Sequence, residues 1–252
     1  VLEPELTALQ RRFAVEVSHL IGFCSVSMEF PFVRSPQQLR EDGVTYLWIG
    51  NTPPPEPNVV PVTIGDCPAE QWTELYRQFA PHSGREILPS MTFVESKPLT
   101  ADKTVVAGGL EQLFETGWVL RDTDGDGLPD TEDLRLLLEE DEDKDLLYAA
   151  CNMAARIGME TISAVYPLLA DSDDGRFPLL VIRRGENPAL TLEQAEPRPL
   201  LAMEGRDEAL RQFADRLCNT FPNTGKHLRM RDITGWVKQA MSMSNPDGQA
   251  AW

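Results

Sequence analysis

No stretch of this chain is apolar for the roughly 18–20 residues that a membrane-spanning helix needs, so the sequence offers no candidate span. Histidine is scarce: His19, His82 and His227 lie far apart, and none falls in an HExxH pattern. GxSxG and Walker sequences are missing too, and Gly108-Gly109 has no following lysine to make a phosphate loop. The four cysteines, Cys24, Cys67, Cys151 and Cys218, form no CxxC pair, which argues against zinc. Their three alternative pairings stay open, and the reading adopted is buried free thiols. Basic residues are the minority: Lys and Arg total 23 against 40 Asp and Glu, a net charge of -17. A surface of that sign repels phosphate backbones, and the densest basic stretch, 226–231, is short. Nucleic acid is therefore not an expected partner.

What is present belongs to an ordinary folded protein. A hydrophobic share of 42% and a charged share of 25% fit a globular chain, and 252 residues suffice for one large domain or two small ones. The start at Val1 and the Gly- and Pro-containing tail 242–252 lead us to expect a mature or excised piece of a larger protein.

The chain matches itself. A shift of 136 positions aligns 1–32 with 137–168 without a gap, setting Leu2 on Leu138, Ala14 on Ala150, Ile21-Gly22 on Ile157-Gly158 and Pro31 on Pro167. After short gaps, 44–49 parallels 177–182 and 59–65 parallels 199–205. The expected fold class is α/β, a tandem duplication of a β-α-β-β-β-α module with sheets covered by helices. Expected boundaries are a first module at 1–84, a connector at 85–136, a second module at 137–225 and a C-terminal segment at 226–252.

Within each copy the first helix shows helical spacing at Ala14, Val17, Ser18 and Ile21, mirrored by Ala150, Met153, Ala154 and Ile157. Gly22 and Gly158 are expected to cap those helices in the left-handed conformation. Met28, Phe30 and Phe32 alternate as a strand, and Pro31 and Pro167 mark a strand edge or end. Leu179-Leu180-Val181-Ile182 reads as a strand buried on both faces. The last helix places Leu210, Phe213, Ala214 and Leu217 on one stripe, as Trp72, Leu75, Tyr76 and Phe79 do in the other copy.

The connector ends in the most informative motif. Residues 122–133 read Asp-Thr-Asp-Gly-Asp-Gly-Leu-Pro-Asp-Thr-Glu-Asp, with carboxylates at loop positions 1, 3, 5, 9 and 12 and Gly127 at the sharp turn. Calcium takes six to eight oxygens at about 2.3–2.6 Å, and alternate residues of a curled loop supply them. The expected ligands are Asp122, Asp124 and Asp126, the carbonyl of Leu128, Asp130 directly or through water, and Asp133 closing the site. Without a cation these carboxylates would repel one another. The segment resembles the calcium repeats of dockerins and thrombospondin type 3 modules, matching DxDxDGxxDxxD at each ligand position. That resemblance covers these twelve residues and implies extracellular calcium; a dockerin pair is not matched, because one loop is present and a strand follows it. Two further acidic stretches, 171–175 and 139–143, are read as a polar turn and as the N-terminal turn of a helix.

These observations point to a non-catalytic binding or assembly module of a larger bacterial protein, held by structural Ca2+ outside the cytoplasm: secreted, periplasmic or on the cell surface. A carbohydrate or protein partner is expected. The strand-to-helix passage 199–210 resembles α/β accessory domains of glycoside hydrolases and of the periplasmic cellulose synthase subunit, which implies an interaction role. The alternative is a hydrolase of polysaccharide or peptide, with acids and His82 in a cleft between the modules.

Overall fold

The structure, a computed structural model, describes residues 1–2, 5–25, 30–33, 36, 46–50, 59–61, 94–95, 120–121, 131–132, 134–139, 143–159, 165–173, 179–193 and 200–220. Their centre is a mixed four-stranded sheet packed against helices, an α/β arrangement. Strands β6 (Arg135–Leu138), β8 (Leu179–Arg184) and β10 (Leu200–Gly205) run parallel, and β9 (Ala189–Glu193) lies antiparallel beyond β10. Across β6, Leu136 exchanges backbone hydrogen bonds with the 168–170 segment, forming a parallel bridge to Leu169.

Register sorts the side chains. Leu136, Leu138, Leu180, Ile182, Leu201, Met203 and Leu190 share one face and join the core under the helices. On the opposite face Leu179, Val181 and Ala202 are buried as well, so β8 is a central strand closed on both sides, as its unbroken apolar run predicts. On that second face the Arg183 guanidinium joins Glu204 on β10 and Glu193 on β9, donating from Nε to Glu204 at 2.8 Å. These two carboxylates raise the arginine's pKa.

Three helices lie among the described residues: α1 (Ala8–Cys24), α2 (Lys144–Met159) and α3 (Asp207–Thr220); α2 and α3 pack on the sheet, and α1 packs on α2. Helix α1 begins in a reciprocal cap, in which Gln10 N–H donates to Thr7 Oγ1 and Thr7 N–H donates to Gln10 Oε1. Helix α2 starts on Asp143, whose Oδ1 accepts from the N–H groups of Asp145 (2.8 Å) and Leu146 (3.4 Å). The acidic run before α2 thus caps a helix, as expected, but Asp143 is shielded by Arg184 rather than solvated. Between β10 and α3 the chain turns through Gly205 at φ 156°, a conformation that favours glycine, and Asp207 follows at φ 51°. Leu210, Phe213, Ala214 and Leu217 of α3 are fully buried, each large one contributing about 1.5–3 kcal/mol of burial.

Helix α2 departs from the expected single stripe. Every residue from Asp145 to Met159 is buried, because α1 lies on one side, α3 on another and β6 and β8 beneath. The glycines are also corrected. Gly22 and Gly158 lie inside α1 and α2, not at left-handed caps, and they set the distance between the two helices. A Cβ on Gly22 would meet the Ala155 carbonyl oxygen at 1.8 Å, and one on Gly158 would meet the His19 carbonyl oxygen at 2.2 Å. Both contacts obey the same offset of 136, which relates 22 to 158 and 19 to 155, so the two helices approach reciprocally.

A second reciprocal pair joins helix to chain. Glu16 of α1 accepts from the N–H groups of Leu168 (3.1 Å) and Leu169 (2.9 Å). Asn152 of α2, at the same offset, accepts from Phe32 (3.1 Å) and Val33 (3.2 Å), which are the residues equivalent to 168 and 169. Residues 30–33 are consequently not the alternating strand expected of Phe30 and Phe32. Pro31 lacks an N–H, and the amides of Asn152 and Asn219 take the hydrogen bonds a neighbouring strand would take. Pro167 ends β7 (Val165–Tyr166), in line with expectation. Among the short strands, β1 (Tyr46–Trp48) pairs parallel with β2 (Val59–Pro61), β3 (Val94–Glu95) with β7, and Leu2 bridges Ile49 just as Leu138 pairs with Ile182.

Candidate calcium loop and buried polar groups

The acidic loop is framed by a short antiparallel pair, β4 (Leu120–Arg121) and β5 (Thr131–Glu132), with Arg121 opposite Thr131 and Leu120 opposite Glu132. Antiparallel partners stand about 4.5–5.5 Å apart at Cα. The nine residues 122–130 therefore leave and return on one rung. Thr131 and Glu132 occupy loop positions 10 and 11, which the expected ligand set does not use, so forming β5 withdraws no oxygen from the site. Position 12, Asp133, is followed by Leu134, 2% exposed, and then by β6. The strand after the loop, expected over 134–138, is observed over Arg135–Leu138. The last expected ligand is thus followed in sequence directly by a core residue of the four-stranded sheet region.

The expected ligands Asp122, Asp124, Asp126, Leu128, Asp130 and Asp133 lie outside the described residues, as do His82, His227, Cys67 and the stripe from Trp72 to Phe79. Among the described residues no group of three or more His, Cys, Asp or Glu is placed to hold a metal. Also among them, no helix is long and apolar enough to cross a membrane. His19 is 3% exposed in the interface between α1 and α2. Cys151 and Cys218 are free, buried thiols, as expected of the cysteines, and burial pushes the Cys151 thiol up to about 12.

Other buried polar groups are held in place. Asn152 uses its whole amide: the oxygen accepts from two backbone N–H groups, and Nδ2 donates to Asp215 Oδ1 at 2.8 Å. Burial lifts the Asp215 carboxyl to about 6, against the opposing effects of Arg211 and of the Asn152 amide. Arg211 pairs with Asp145 at 3.0 Å and lies over the Tyr148 ring, 5.6 Å from its centroid. Glu16 is held above the ordinary glutamate range by burial, opposed by its two backbone hydrogen bonds and by His19 and Arg12. Sequence reasoning did not single out Glu16 or Asn152. The usable signal was a polar residue interrupting both apolar stripes at one offset.

Comparison of the chain with protein-family models, curated proteins and solved structures finds no match.

Proposed function

We propose that this chain is a non-catalytic, calcium-stabilised binding or assembly module of a larger extracytoplasmic bacterial protein, and that it arose by tandem duplication. The observation that carries the calcium reading is the spacing of carboxylates over 122–133 on a stretch whose ends share one rung. A cation drawing those oxygens together would relieve their repulsion and brace the entry to β6. The equal offsets at Gly22 and Gly158, at Glu16 and Asn152, and at the two N–H pairs they bind support the duplication. The partner we infer is a carbohydrate or a protein, met outside the cytoplasm where calcium is abundant.

Calorimetric titration with Ca2+ tests the site, with dissociation constants of about 10⁻⁴–10⁻³ M expected for extracellular modules. At ten times that constant the bound ion should add about 1.4 kcal/mol of stability, read as a higher melting temperature that EDTA reverses. Asp124→Ala with Asp126→Ala should remove both the heat and the shift. Titration without heat at several millimolar Ca2+, and melts unmoved by EDTA, would refute the reading.

A further inference from the structure

We infer that calcium at 122–133 regulates a joint between the two halves of the chain: a bound ion keeps the 168–170 segment fastened to β6, and its removal loosens that fastening. The inference rests on the calcium reading proposed above and adds where the ion's effect is felt. Segment 168–170 is gripped from two sides. On one side Leu136 of β6 donates to the Leu168 carbonyl (2.9 Å) and accepts from the Ala170 N–H (2.7 Å). On the other side α1 completes the grip. Glu16 accepts from the N–H groups of Leu168 and Leu169, and Arg12 donates to the Leu169 carbonyl (3.4 Å) and pairs with Asp171 (2.7 Å). The segment therefore ties a helix of the first half to the sheet of the second.

Both bonds to β6 depend on one residue, and that residue follows the loop closely. Leu136 is the second residue of a four-residue strand, so fraying at the entry of β6 breaks the two together. Asp133, the last expected ligand, precedes Leu136 by three residues, a span of at most about 11 Å. Leu134, between them, is buried in the core. The entry of β6 cannot fray without lifting Leu134 out of the core and carrying Asp133 with it. An ion that binds only while its last ligand is in place opposes that movement, and the opposition travels along contiguous chain. Glu16 and Arg12 come from a different element, so the calcium-sensitive side of the joint is the β6 side. An opening that must also release the ion becomes rarer by the factor 1 + [Ca2+]/Kd, about tenfold at ten times the dissociation constant.

Hydrogen exchange of the whole chain tests the coupling, followed amide by amide in Ca2+, in Mg2+ at the same ionic strength and in EDTA. Calorimetry on the same samples reports whether the ion binds. At ten times the dissociation constant, exchange at Leu136 and Ala170 should slow by about tenfold relative to EDTA. Amides of β9, at the far edge of the four-stranded sheet, should keep their rates. Mg2+, which gives up its water reluctantly, should slow none of them. Asp124→Ala with Asp126→Ala should abolish the slowing. Heat of binding with unchanged exchange at Leu136 and Ala170 overturns the coupling and leaves the calcium reading standing, whereas absence of heat removes both. Equal slowing in β9 marks global unfolding and overturns the coupling, as does an effect that Mg2+ reproduces by screening. Should the double variant fail to fold, the parent's contrast between Ca2+ and EDTA decides alone.

Discussion

Replacing Gly22 with alanine puts the contact between α1 and α2 to a direct test. At an exposed mid-helix site this exchange stabilises by about 1 kcal/mol, because alanine restricts the unfolded chain and glycine does not. Here the new methyl would stand 1.8 Å from the Ala155 carbonyl oxygen and 2.6 Å from its carbon. Ordinary contact starts near 3.4 Å, so α2 would have to retreat by roughly 1.6 Å. The obstacle is main chain and cannot rotate aside. A gap of only 0.5–1 Å already forfeits about a quarter to a half of the dispersion energy of facing atoms. Overpacking in cores that can adjust costs about 1–3 kcal/mol, and a backbone obstacle belongs at or beyond the upper end. With the propensity gain set against it, a net loss of about 2–4 kcal/mol is expected. Gly158→Ala should behave alike, its Cβ meeting the His19 carbonyl at 2.2 Å. Both changes separate the same two helices, so the double variant should lose less than the sum. Urea unfolding followed by circular dichroism and tryptophan fluorescence gives the values. A Gly22→Ala protein as stable as the parent would refute the close approach, and strict additivity would refute a shared interface.

Asn152→Ala removes the acceptor for two backbone N–H groups and the donor to Asp215; a loss of about 2–4 kcal/mol is expected, with faster hydrogen exchange at Phe32 and Val33. Asp215, raised from 3.8 to about 6, binds a proton more tightly when folded. Its stabilisation is complete below pH 3.8 and is withdrawn as pH climbs through about 6. Asp215→Asn should erase that slope in pH-dependent melts, by under about 1 kcal/mol once solvent screening of this part-exposed group is allowed for.

Much of the second half was legible in the amino acids. The apolar run 179–182 and the stripe of α3 are local patterns, and each returned the expected element. The extra strand β9 was not anticipated, since 189–193 mixes polar and apolar residues and pairs only because β10 supplies an edge. The glycines were misread because a glycine near the end of an apolar stripe fits a cap as well as a crossing. Only the neighbouring helix distinguishes the two, and it lies more than a hundred residues away in sequence. Glu16 and Asn152 escaped for a related reason: their partners are backbone groups, which no residue type advertises. The calcium ligands remain a sequence reading, now framed by the rung between β4 and β5.

An enclosed α2 has a consequence for how the molecule comes apart. A helix with an open face can shed one neighbour and keep the others, which lets a protein melt in stages. With α1, α3 and the sheet all leaning on the same sixteen residues, loss of any one flank bares apolar surface the rest cannot re-cover. Heating should therefore give a single sharp endotherm, and a protease should find either an intact chain or small peptides, with no surviving half.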